Sequence, residues 1–171
     1  MIPADAIDRA LARLDNETEV ERAMVAFATE QPAFLQYLRT EAFDLLSQDE
    51  RDYLQYLVLV LAEAVRDHTG AVPALRAERL EHLDELCWGW MQDGVNKPMR
   101  ERLDVFFEHI DEEEMLAFAE DSLVDPDRDD AADNSDGPRE AQLFATGASR
   151  ELGLVTLALY TAATYEALAE A

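Results

Sequence analysis

Apolar residues recur at three- and four-residue intervals along nearly the whole chain, and no segment alternates in the two-residue rhythm of a half-buried strand. The pattern predicts an all-α, single-domain bundle of about seven or eight helices, with two apolar helices at its centre. The first helix covers residues 4–14. Asn16 then caps a second, in which Val20, Ala23, Met24, Phe27 and Ala28 form one stripe. Pro32 suits the first turn of a third helix, where Phe34, Leu35, Leu38, Ala42, Leu45 and Leu46 are expected to share a face.

Ser47 and Glu50 stand at capping-box spacing and open a fourth helix that should stop near Gly70. Its stretch 54–65 is apolar except for Gln55 and Glu63, which calls for neighbours on all sides. Pro73 is expected to open a fifth helix with a seam of Leu80, Leu83, Leu86, Cys87, Trp90 and Met91, ending at Gly94. Pro98 opens a sixth, along which Met99, Leu103, Phe106, Phe107 and Ile110 repeat at helical spacing; Asp111 caps a short seventh. The last helix starts between Arg139 and Ser149 and runs to about Leu168. Its stretch 152–165 has almost no charge, and its small residues Gly153, Ala158 and Ala162 suit either a second core helix or a contact with another subunit.

Between the last two helices lies an acidic loop at about 125–138. Counted as a twelve-residue calcium loop from Asp125, it places Asp125, Asp127, Asp129, Asp133 and Asp136 at ligand positions. The likeness to an EF-hand covers these twelve residues only. Asp130 stands where the sharp turn wants Gly, and Asp136 stands where a longer bidentate Glu is usual. A solvated acidic loop is the simpler reading, so calcium is the one ion considered and no cofactor is otherwise implied.

Charge changes the picture more than any motif. The chain carries 38 acidic residues against 14 basic ones, a formal net charge of −24, and its one lysine is Lys97. Screening lengths fall from roughly 10 Å in 0.1 M salt to roughly 3 Å in 1 M salt, so this charge fits a protein adapted to a very salty, cytoplasmic solvent. An ordinary acidic protein from a GC-rich genome is the competing explanation. Either way, the absence of a Lys/Arg stripe argues against nucleic-acid binding. No apolar run approaches the length of a membrane span, the N-terminus lacks a signal-peptide pattern, and the single cysteine excludes an internal disulfide.

Candidate chemistry is sparse, and no catalytic residue is assigned. His68, His82 and His109 fall on three different helices. His82 has Glu78 and Glu85 on its helix face, and His109 has Glu113, which would make half of a metal site at each. Cys87 fits the buried seam and has no base in reach, whereas Trp88 points away from that seam toward a cleft or partner surface. No phosphate-binding loop, dinucleotide fingerprint or nucleophile elbow is present. The leading expectation is therefore a non-enzymatic protein-interaction or regulatory module. Its partner would be another protein or a second copy of the chain, docked at Trp88 or on the Gly153, Ala158 and Ala162 face. The alternative is a metal- or small-ligand-binding bundle with enzymatic potential.

Overall fold

The computed structural model describes residues 1–123, 143–144 and 146–170. Among these the chain forms eight α-helices and one 3-10 turn, with no strand: α1 (Ala4–Arg13), α2 (Glu17–Glu30), α3 (Pro32–Leu38), the turn Glu41–Leu45, α4 (Gln48–Thr69), α5 (Ala77–Asp93), α6 (Met99–His109), α7 (Glu113–Leu123) and α8 (Gly147–Glu170). The buried apolar side chains form one contiguous core.

The two helices expected at the centre are there. α4 buries every residue from Leu57 to Ala62, and α8 buries every residue from Leu152 to Thr164. α8 packs against α5, α7 and α4, while α4 packs on its other side against α1 and α2. A fully buried Leu or Val contributes about 1.5–3 kcal/mol, so these two helices carry a large share of the folding free energy. α8 has the length and mean hydropathy of a membrane span, but 72% of its apolar window is covered by the other helices. Thr156 and Thr161 lie inside this helix because their hydroxyls donate back to the carbonyls of Leu152 (2.7 Å) and Leu157 (2.8 Å).

The caps expected at Asn16, Ser47 and Gly70 form, whereas Asp111 is not the cap of α7, which starts at Glu113 after Glu112. Asn16 Oδ1 accepts the Thr18 N–H at 2.9 Å, and both halves of the Ser47/Glu50 capping box are made. Gly70 ends α4 in the left-handed region at φ 84°, where a Cβ would be strained. Thr146 caps α8 by accepting the Ser149 N–H at 3.1 Å.

Two elements depart from the sequence pattern. The helix from Pro32 stops at Leu38 instead of continuing to Leu46, because the Thr40 hydroxyl and amide both donate to the Tyr37 carbonyl and tighten the chain into a 3-10 turn. Leu45 is consequently half exposed and Ala42 faces solvent. α5 begins at Ala77 and not at Pro73. Buried Gln31 holds the intervening strap: its Nε2 donates to the Pro73 carbonyl (2.6 Å), and its Oε1 accepts the Leu75 N–H (3.0 Å). One side chain thus pairs a carbonyl that a helix from Pro73 would have paired internally and an N–H that such a helix would have left open in its first turn.

Candidate functional site

Ion pairs between helices use most of the described arginines. Arg13 bridges α1 to Glu63 and Asp67 of α4, Arg66 joins Glu30, and Arg79 makes a bidentate pair with Glu166. The most enclosed of these cations is Arg102. Its Nη1 meets Glu151 Oε1 at 2.7 Å, while Nε and Nη2 donate to the Met91 carbonyl at the end of α5. Gly94 lies against its stem, where a Cβ would stand 3.0 Å from Arg102 Cγ.

Against this background one concave surface stands out. It lies between α2, α3, the 3-10 turn and the start of α4, with a volume of about 490 Å³. Met24, Leu35, Leu38, Phe43, Leu46 and Leu54 make its apolar floor, and Arg39, Arg51, Gln48 and Asp52 stand at its polar edge. Ring packing fixes this floor. Phe43 sits edge-on to Tyr37 at 5.3 Å, Tyr37 packs on Phe34 at 5.5 Å, and the Tyr37 hydroxyl donates to Asp84 Oδ1 at 2.7 Å. Burial and the Asp84 carboxylate push the Tyr37 hydroxyl well above its ordinary pKa, so it remains a donor throughout the physiological range.

The charge at the edge of this groove is unusual for the molecule. Arg51 makes only an exposed 3.4 Å pair with Asp44. Among the described residues, no carboxylate lies within ion-pair distance of Arg39, and its side chain makes no hydrogen bond. A second groove, of about 500 Å³ between α1, α4 and α7, has the opposite character: Tyr53, Tyr56 and Phe118 are rimmed by Asp8, Glu114 and Asp121.

The residues singled out from sequence do not converge. Asp125, Asp127, Asp129, Asp133 and Asp136 lie outside the described residues. His68 and His82 are exposed on separate helices; His109 is also exposed but stacks flat on Trp90, with ring centroids 4.5 Å apart and planes 4° from parallel. Among the described residues no three His, Cys, Asp or Glu side chains are grouped to hold a metal ion. Trp88 is half-buried, with its ring against the core.

The face expected as a subunit contact is spent inside the chain: Gly153, Ala158 and Ala162 are all buried. Gly153 is where Leu123 and Phe144 close over α8, and a Cβ there would stand 2.9 Å from Leu123 Cδ1 and 3.2 Å from Phe144 Cε1. Small residues in α8 therefore serve packing within the bundle. Cys87 is buried, and desolvation with the Asp84 and Glu166 carboxylates pushes its thiol up to about 12, which removes its nucleophilic character at neutral pH.

Arg39 was missed from sequence. It has no carboxylate three or four residues away, but Arg79 and Arg102 have none either and are paired across helices, so spacing along the chain does not single it out. No protein-family model, curated protein or solved structure matches this chain.

Proposed function

We propose that this protein is a non-enzymatic protein-interaction module and that the groove between α2, α3 and the start of α4 is its docking surface. One observation carries the reading: Met24, Leu35 and Leu38 stand partly exposed along a groove backed by the buried Phe43 and Leu46, with half-exposed Leu45 beside it in the same turn. An apolar groove between helices is the geometry in which a partner helix lays down its apolar face. The groove volume is also that of a small-ligand site, which makes a ligand the competing occupant.

The test is selection of randomised peptides displayed against the folded protein in molar KCl. Enriched peptides that bind the parent protein and lose binding to Leu38→Glu support the proposal. Enrichment of none, or binding indifferent to Leu38→Glu in a protein that still melts cooperatively, contradicts it.

A further inference from the structure

We infer that the partner segment presents a carboxylate beside its apolar face and that Arg39 receives it. This rests on the reading of the groove as a docking surface and adds the chemistry of what docks there.

The argument is one of charge complementarity. In a chain with a net charge of −24, a surface taken at random is acidic. The α1–α4–α7 groove follows that rule, with three carboxylates and no cation in its lining. The α2–α3–α4 groove breaks it, with two arginines and the single carboxylate of Asp52. Asp52 keeps its charge, with Oδ1 accepting from the neutral Gln48 amide at 2.8 Å, and Arg51 pairs with Asp44 at 3.4 Å, so Arg39 is the cation of this edge that has no carboxylate partner among the described residues. Several arginines serve as internal ties, as in the pairs of Arg13, Arg66, Arg79 and Arg102. Among the described residues Arg39, like Arg76, ties nothing, and of these two it is Arg39 that lines this groove. It sits where α3 gives way to the 3-10 turn, at the edge of the Leu35–Leu38 floor. A guanidinium there offers a planar fork of donors to an incoming carboxylate. Salt weakens an exposed contact pair, but it also screens the long-range repulsion between two acidic molecules to within a few ångströms, so that close approach is allowed.

The experiment uses three synthetic amphipathic helical peptides with one shared leucine face and with Glu, Gln or Lys along its edge. Binding is read by fluorescence anisotropy in molar KCl. The Glu peptide is expected to bind about two- to fivefold more tightly than the Gln peptide, and the Lys peptide most weakly. Arg39→Gln is expected to erase the Glu-over-Gln preference while leaving the melting temperature unchanged, because the Arg39 side chain makes no hydrogen bond or ion pair among the described residues. Equal binding of all three peptides that is abolished by Leu38→Glu overturns this inference and leaves the docking reading standing. A Glu preference that survives Arg39→Gln also overturns it, as does binding by none of the three. The docking reading itself is then decided by the display selection.

Discussion

The backbone N–H of Phe144 donates to Glu50 Oε2 at 2.8 Å, joining two residues 94 positions apart. The other oxygen of the same carboxylate accepts the Ser47 N–H at 3.0 Å. One side chain thus caps the start of α4 and anchors the approach to α8. Phe144 holds the left-handed backbone at φ 58°, buried against Tyr53 and over Gly153. Such a backbone costs roughly 1–2 kcal/mol in a residue with a side chain, which burial of the ring offsets.

Glu50→Ala removes both bonds. It is expected to destabilise the protein by about 1–3 kcal/mol in chemical denaturation, with Glu50→Gln losing less because one acceptor remains. A loss below a few tenths of a kcal/mol for Glu50→Ala would mean that the anchor contributes nothing.

Arg102 joins the end of α5, the middle of α6 and the start of α8. Arg102→Met leaves the Met91 carbonyl without its two donors and Glu151 without its partner. The expected loss is about 2–3 kcal/mol, at the lower end of the range for breaking a buried pair because Glu151 retains some solvent. Arg102→Lys is not expected to restore it, since one ammonium cannot reach both partners in the same geometry.

Two glycines in helices are expected to behave oppositely. Gly89 is exposed and a Cβ there meets nothing within 4 Å, so Gly89→Ala should stabilise by about 0.5–1 kcal/mol. Gly153→Val crowds Leu123 and Phe144 and should destabilise by at least about 1–3 kcal/mol. Thermal melts of the two variants are sufficient, and shifts of the same sign would contradict the packing described at α8.

The buried thiol gives the protein an alkaline limit. In the unfolded chain Cys87 ionises at about pH 8.5, whereas burial holds its native pKa up to about 12. The group's pKa is raised by folding, so its contribution to stability is complete below about pH 8.5 and is lost as pH rises toward 12. Buried Tyr160, also pushed upward by desolvation, adds to the same decline at higher pH. Denaturation curves across this window should show stability falling, less steeply in Cys87→Ala, and a thiol reagent should label native protein far more slowly than denatured protein.

Much of the fold was legible because its signals are local. Asn16, the Ser47/Glu50 box, Gly70 and the apolar runs of α4 and α8 each act within a few residues, and each appears where the pattern places it. The departures come from long-range contacts. Gln31 reaches 42 residues to the Pro73 carbonyl and keeps that segment out of α5, which periodicity cannot register. The small residues of α8 are compatible with a subunit contact until they are seen to be buried within the bundle, Gly153 under Leu123 and Phe144. The groove was illegible for the same reason: its floor comes from four separate elements, and Arg39 gains meaning only once the fold places it at that groove's edge.

Salt dependence follows from the carboxylate excess. If the charge is an adaptation to concentrated salt, the melting temperature should fall as KCl drops from molar to about 0.1 M, because screening lengthens from roughly 3 to 10 Å and self-repulsion grows. Circular dichroism melts across that series check this, and a flat melting temperature would return the charge to an incidental property.

The most direct test of the docking groove is a methyl NMR titration of the protein with the tightest peptide from the display selection. The account predicts that the methyl signals of Met24, Leu35, Leu38, Leu46 and Leu54 move together, while Ile7, Leu11 and Leu57 beside the acidic groove stay in place. Shifts centred on Ile7, Leu11 and Leu57, or none at all in the Met24–Leu54 set, would contradict it.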